Sequence, residues 1–408
     1  MAALIFRRSM NLQDPIPYAD WLEDLGEPIV LFTMGEASED SSFAHVEKFE
    51  SFDNQGLTEV RALELAERFT YHRIFAQSEH DLLRAAELRE WFGVKGQSYS
   101  SAWAFRDKFH MKTLAKAGGM EVPCFAALAT PLDLYRFGLR HGFPCVVKPR
   151  KAAGARGICV LRSLAQLKQF LQKPLGEDYM AESFVDGPMF HVDGLMSAGR
   201  ILFVSASKYV NNCISYQDGQ SSGSVLLDPA QPLSERLVSK TEQLLSSLPL
   251  APHFAFHAEF FIDEADRIVF CEVAARPGGS GIVGMIEQAY GVNLYQQWVR
   301  RSFDLPIELP AAKPWTAVGL LWVPPQRGRL CSMPASVPFE WVVEYRPHSK
   351  TGQWWEHPQS NGPNIASFTV SGSDTEQVES RIRMLDEWFR ERVEWEENPE
   401  LSPAEARF

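Results

Sequence analysis

The chain has 408 residues, 45% of them hydrophobic and 23% charged, and 40 Lys and Arg against 52 Asp and Glu give a formal net charge of −12. At about 150 residues per domain this length suggests two or three domains with ample core material, and the acidic balance argues against a general binder of nucleic acid or anionic membranes, while leaving room for a local basic groove. No apolar run approaches the roughly 18–20 residues of a membrane helix. Arg7 and Arg8 lead into Asp14, Pro15 and Pro17 rather than an apolar stretch, and none of the six cysteines (124, 145, 159, 213, 271 and 331) forms a CxxC pair, a pattern that fits a reduced cytoplasmic chain.

Residues 2–6 and 28–33 read as short buried strands, 57–69 as an amphipathic helix, 71–76 as a strand and 80–92 as a second helix. Strands alternating with helices predict a parallel, Rossmann-like α/β layer. No GxGxxG follows the first strand, so no dinucleotide site is assigned there. Residues 93–101 read as a polar linker. One continuous helix is predicted over 104–117, ended by Gly118 and Gly119, and another over 131–141. Segments 145–149 and 158–161 are strands around a basic, glycine-bearing loop. Stretches 179–185 and 191–210 are β-rich, 234–248 is helical, 254–263 with 267–275 form a hairpin, and 282–290 and 294–303 are helices. From 314 strand-like runs dominate until a helix over 375–393. The acid-rich stretch 394–400 reads as a solvated end.

The hairpin carries the clearest chemistry. With a two-residue loop at Ala265 and Asp266, the commonest hairpin connection, Glu259 falls opposite Glu272 and His257 opposite Ala274. Alternation puts His257, Glu259, Glu272 and Arg276 on one face and Phe256, Ala258, Phe260, Ile262, Val269, Cys271, Val273 and Ala275 on a core face. Two carboxylates facing across a ladder sit roughly 5 Å apart and repel. A divalent cation offsets that repulsion, and oxygen donors favour magnesium or manganese; the alternative is a pair of solvated glutamates on an exposed face. Arg276 precedes Pro277, Gly278, Gly279, Ser280 and Gly281, a guanidinium leading into a glycine-rich turn. That suits carboxylate or phosphate recognition, or is an ordinary turn.

Lys148 ends the apolar run Val146-Val147 and precedes Pro149 and the loop Ala152, Ala153, Gly154, Ala155, Arg156, Gly157. Small residues let a backbone approach phosphate oxygens while the lysine supplies point charge. This is no Walker A loop, and a basic surface hairpin is the competing reading. Lys108 carries no signal alone. Adjacent Trp354 and Trp355 read as packing residues more than a substrate cap, and 217–224 as a flexible loop, either near an acceptor or plainly on the surface.

In combination, Arg106-Asp107-Lys108, Phe143 through Pro149, the loop 152–157, Ala181-Glu182-Ser183-Phe184-Val185, His257-Ala258-Glu259, and Glu272-Val273-Ala274-Ala275-Arg276-Pro277-Gly278-Gly279 resemble the ATP-grasp superfamily. The segment 80–108 and the form of the last motif are most similar to its L-amino acid ligase branch. The resemblance implies an α/β (α+β) ATP-grasp fold: an N-terminal Rossmann-like domain over 1–95, a central lid subdomain over 96–182, and a C-terminal mixed-sheet domain with extension over 183–408. It implies that Lys108 and Lys148 contact ATP phosphates under the loop Gly154, Ala155, Arg156 and Gly157. Glu182, Ser183, Phe184 and Val185 form an adenine hinge, and His191 or Asp186 lies near the ribose. Glu259 and Glu272 hold Mg²⁺, with Mn²⁺ as the other candidate. Lys148 and Arg276 act catalytically, Arg276 stabilising an acyl phosphate, and His257, Arg276, Gly278, Gly279 and Ser280 contact substrate.

Two positions depart from the family pattern. Ala274 stands where many members have a metal-binding Asn, and Met189 where a ribose-binding glutamate is usual. His257 is a candidate substitute for the former, or a core or substrate-contacting histidine; His191 and Asp193 are candidates to compensate for the latter. The implied function is an ATP-dependent carboxylate–amine ligase joining two amino acids, or an amino acid and a related amine. Its partners are small molecules, not nucleic acid or membrane, and it is a homodimer by resemblance. The rivals are a ligase acting on a nucleotide-pathway amine, a non-catalytic ATP-binding module, and a kinase-like phosphotransferase, for which the sequence supplies no evident base.

Overall fold

The computed structural model describes residues 1–8, 16–34, 42–53, 56–176, 178–310 and 315–396. Most of the acid-rich end, from 397 onward, lies outside the described residues.

A parallel four-stranded sheet opens the chain, in the order His45–Phe49, Ile29–Met34, Ala2–Arg7, Tyr71–Ala76. Its central strands are buried on both faces, which is why they read as continuous apolar runs. The strand His45–Phe49 is half-buried and mixed in composition, and its sequence gave no strand signal.

The predicted single helix over 104–117 is instead two, Tyr99–Arg106 and Lys108–Ala117, and the first begins inside the expected linker. Asp107 breaks them. Its backbone is extended (φ −92°, ψ 104°) and its carboxylate accepts from the His110 N–H at 2.9 Å, capping the second helix. The same carboxylate pairs with Arg150 at 2.7 Å, and the Lys108 N–H donates to the Arg150 carbonyl at 3.0 Å. The break therefore sets Lys108 at the first helical position, against the end of the strand that carries Lys148.

A four-stranded antiparallel sheet follows, in the order Phe125–Leu128, Tyr179–Ser183, Cys145–Pro149, Cys159–Leu161. Helices Pro131–His141 and Leu164–Phe170 cover it through Leu134, Phe137 and Leu167.

The largest sheet has eight strands in the order Ile268–Ala274, His253–Ile262, Met189–Ser197, Arg200–Tyr209, Ser222–Leu226, Ala317–Val323, Ala366–Gly372, Val342–Pro347. One face packs Phe254, Phe256, Ala258 and Phe260 into a core shared with the parallel sheet. The other changes character along each strand. Leu195 and Ala255 lie in a core with helices Ile282–Tyr290 and Leu294–Ser302, whereas further along the same strands His191, Asp193, His257 and Glu259 form a polar patch. Ser222–Ser224 belong to this sheet, so the reading of 217–224 as one flexible loop is corrected. Trp355 packs beside the helix Thr375–Arg390, as a packing residue should, while Trp354 is exposed.

Asp107→Ala removes the cap and the partner of Arg150. Urea unfolding should show a loss of about 1–2 kcal/mol, most of it retained in Asp107→Asn, which keeps the capping oxygen.

Candidate active site

The hairpin pairs Glu259 with Glu272 and His257 with Ala274, as the sequence predicts. The turn does not. Asp263 and Arg267 close a three-residue loop, with Asp266 at φ 58° and the Asp263 carboxylate accepting from the N–H groups of Ala265 and Arg267. This pairs Ile262 with Ile268, one residue off the expected register. A bulge between Phe270 and Glu272 then restores it. Cys271 is the extra residue. It is half-buried rather than part of the core face, and burial, with Lys148 and Lys112 as partly offsetting neighbours, pushes its thiol up to about 12.

Lys108, Lys112, Lys148, Glu182 and Glu272 meet between the lid sheet and this hairpin. Lys108 Nζ donates to the Ala152 carbonyl at 2.7 Å and lies 3.3 Å from Glu272. Lys148 Nζ lies 3.0 Å from Glu182, and burial, opposed by that carboxylate, leaves the lysine pKa raised overall. Lys112, which sequence reasoning missed, is fully buried. Its Nζ donates to the Cys271 carbonyl at 2.5 Å and lies 3.4 Å from Glu182. Burial lowers its pKa. The signal was available: Lys108, Met111, Lys112 and Ala115 occupy the inward stripe of one helix, and a lysine on such a stripe needs a buried partner.

Gly154, Ala155 and Gly157 all have positive φ (63°, 57° and 73°), so the glycine-bearing loop is tightly turned, and Ala155 holds a conformation side chains rarely adopt. The loop is clasped from two sides. The Asn361 N–H donates to the Gly154 carbonyl at 3.1 Å, and the Tyr216 hydroxyl to the Ala155 carbonyl at 3.1 Å. Arg156 lies exposed on the loop. In the hinge, the Ser183 N–H is engaged by the Cys124 carbonyl and the Phe184 N–H by that of Pro144. The Ser183 N–H is thus unavailable to a ring edge, and Val185 follows as the second hinge residue beyond the strand.

Arg276 Nε donates to Glu79 at 2.6 Å, and Arg106 pairs with the other oxygen of Glu79. Glu79 is the second residue sequence reasoning missed. Burial alone would raise its pKa, but Arg276 and Arg106 hold it well below the usual carboxylate range.

His191 is corrected. It is completely buried, with Nδ1 2.5 Å from Asp193 and Nε2 2.6 Å from Ser224, so it does not meet a ribose. Its strand is interior to the eight-stranded sheet, which explains the burial; Asp186 is exposed. Asp193 also accepts from His257 Nδ1 at 2.9 Å and from the Gly278 N–H at 3.3 Å. A Cβ on Gly278 would lie 2.7 Å from Asp193 and 2.9 Å from His257, so glycine is required for this approach. Gly278 thus backs the histidine cluster, while Gly279 and Ser280 are half-exposed. His257 Nε2 lies 3.3 Å from Glu259, and the Tyr209 hydroxyl donates to Glu259 at 2.8 Å. Burial opposes charge on both groups, yet Asp193 and Glu259 raise His257 to about 10, and His257 and Tyr209 hold Glu259 at about 2. The donors presented are carboxylate oxygens paired across a ladder, which suit a hard divalent cation.

Residues 113–291 match the ATP-grasp domain. An L-arginine-specific L-amino acid ligase from Bacillus subtilis is 27% identical over 242 residues, 57% of this chain and 58% of that protein. A formate-dependent phosphoribosylglycinamide formyltransferase from Salmonella typhi is 28% identical over 198 residues, 44% of this chain and 48% of the relative. The alignments thus span about half the length of these relatives. Among solved structures, an L-amino acid ligase from Bacillus licheniformis superposes with a TM-score of 0.77 at 18% identity, covering 97% of this chain and 98% of the other. An N5-carboxyaminoimidazole synthase from Aspergillus clavatus, in complex with ADP and 5-aminoimidazole ribonucleotide, superposes with a TM-score of 0.69 at 15% identity, covering 95% and 97%. The ATP-grasp fold therefore extends over nearly the whole chain.

Because the folded Glu79 titrates below its unfolded value, its stabilisation is complete above about pH 4.3 and is lost as the pH falls. Glu79→Gln should therefore lower stability at pH 7 and flatten its decline between about pH 4.5 and 2, read from urea midpoints across that range.

Proposed function

We propose that this chain is an ATP-dependent carboxylate–amine ligase that joins one amino acid, through its carboxylate, to the amine of a second. The observation that carries the reading is the convergence of Lys108, Lys112 and Lys148 beside a cross-strand glutamate pair, beneath a glycine-containing loop, within an ATP-grasp fold. Similarity to amino acid ligases in both sequence and fold supports the substrate class.

A carboxylate and an amine do not condense at neutral pH, because hydroxide is a poor leaving group. Transfer of the γ-phosphoryl group of ATP to the carboxylate gives an acyl phosphate, from which the amine displaces phosphate; the products are an amide, ADP and phosphate. The protein's part is positioning and charge stabilisation. Lys108 and Lys148 face the phosphate chain below the Gly154–Gly157 loop, and the main chain around Val185 meets the adenine edge. Glu259 and Glu272 hold the magnesium, which neutralises phosphate charge when bound. Arg276, oriented by Glu79, stabilises the oxyanion of the acyl transfer. The clasp of Tyr216 and Asn361 on the loop keeps water from the acyl phosphate. In this reading the protein works in the cytoplasm on small molecules. A second reading, a ligase acting on a phosphoribosyl amine, is favoured by the formyltransferase and carboxyaminoimidazole relatives.

Phosphate release from Mg-ATP, scanned over pairs of amino acids with mass spectrometry of products, tests the proposal. Pair-dependent phosphate with a new amide mass is expected, absent in Glu272→Ala and reduced about 10²–10³-fold in kcat in Arg276→Met. Turnover with phosphoribosyl amines alone would replace the first reading with the second.

A further inference from the structure

The glutamate pair is flanked by an unusual neighbour. Ala274 stands directly opposite His257 in the ladder, and its methyl group offers no donor atom. On the other side of that rung, the His257 ring is fixed from behind. Asp193, an acceptor only, takes the Nδ1–H at 2.9 Å, and is itself anchored by His191 at 2.5 Å and by the Gly278 N–H at 3.3 Å. His191 in turn leans on Ser224 at 2.6 Å. The chain of contacts from Ser224 to His257 is buried throughout, joins side chains on three strands and ends with Nε2 beside Glu259.

We propose that His257, giving up its Nε2 proton to solvent as the ion binds, is a ligand of the cation held by Glu259 and Glu272, supplying from the facing strand the donor that Ala274 lacks. The inference rests on the ligase reading, since the cation is the one that accompanies the nucleotide. Three features carry it. Nε2 lies 3.3 Å from Glu259 Oε1. Two donors at about 2.1 Å from one ion and at right angles to each other lie about 3.0 Å apart, so these atoms are spaced like neighbours in one coordination sphere. The backing of Nδ1 by a buried carboxylate is the arrangement that orients metal-binding imidazoles and strengthens them as donors. Finally, Gly278 is required for the Asp193–His257 pair to stand where it does, which binds the histidine's position to the segment that carries Arg276. Asp193 acts as a support, its Oδ1 engaged by His257 and the Gly278 N–H and its Oδ2 by His191.

A nitrogen donor alters the choice of ion. Magnesium prefers oxygen ligands, whereas manganese accepts imidazole. The site should therefore favour manganese more than a site of oxygen donors would, and His257→Asn, which restores an amide oxygen, should move the preference towards magnesium.

The test is pulsed electron paramagnetic resonance of Mn²⁺ bound to the full chain with ADP, using protein made with natural-abundance histidine and with ¹⁵N-histidine. A directly coordinated ¹⁴N, replaced by the ¹⁵N pattern in labelled protein and lost in His257→Asn, is the expected result. Competition of Mg²⁺ against Mn²⁺ should show the altered preference. Asp193→Asn, which keeps the imidazole but removes its support, should weaken Mn²⁺ binding about 10–100-fold. An ADP-dependent Mn²⁺ signal without histidine nitrogen overturns the proposal, as does nitrogen coupling that persists in His257→Asn. The wild-type comparison decides the matter even where a variant fails to fold. Absence of any ADP-dependent Mn²⁺ binding overturns the ligase reading and the proposal with it.

Discussion

Two like charges set opposite one another across a sheet are the constraint from which the rest of the site follows. Carboxylates about 5 Å apart repel by about 3 kcal/mol at an effective dielectric near 20, and Glu259 is buried besides. Each is therefore met by its own partners. Glu259 has the Tyr209 hydroxyl and His257; Glu272 has Lys108. These partners are held in turn. Asp107 starts the helix that presents Lys108, and Asp193 fixes the ring of His257. The polar patch is thus a set of nested charge pairs, each outer group positioning an inner one.

The same logic ties the separate layers together. Glu79, at the end of the parallel sheet, holds Arg276 beyond the hairpin and Arg106 of the helix pair at once. Arg106 also reaches the Lys151 carbonyl, next to the phosphate loop. One buried carboxylate therefore links the N-terminal layer, the helix Tyr99–Arg106 and the glycine-rich turn after the glutamate hairpin. On the opposite side of the loop, Tyr216 and Asn361 reach it from two distant stretches of chain. The loop is thus held by Lys108 from the helix pair and by Tyr216 and Asn361 from the C-terminal part of the chain.

Much of this was legible in the sequence. Apolar runs and period-two alternation located the strands, and the order of modest motifs identified the fold, because each motif places one charge at the end of one element. What stayed hidden depended on local breaks and on burial. The Asp107 break between helices has no apolar signature, since both helices keep the same inward stripe. Glu79 looks like a surface charge until its element is packed, and Lys112 is betrayed only by its place on the inward stripe of its helix. His191 was placed by resemblance alone; the strands on both sides and its contacts with Ser224 and Asp193 show that its polar face is interior.

The hairpin shows why a correct pairing can rest on an incorrect turn. The Asp263 carboxylate caps the main chain of Ala265 and Arg267, which favours the longer loop over the two-residue one. That extra residue shifts the ladder by one, and left alone it would turn Glu272 to the opposite face from Glu259. The bulge at Cys271 cancels the shift before the ladder reaches the site. Beside it, on the outer edge of the sheet, the carbonyls of Phe270 and Cys271 accept from Lys112. The irregularity that restores the glutamate register thus lies where the buried lysine finds its acceptors, and strand pairing and charge placement meet at Cys271.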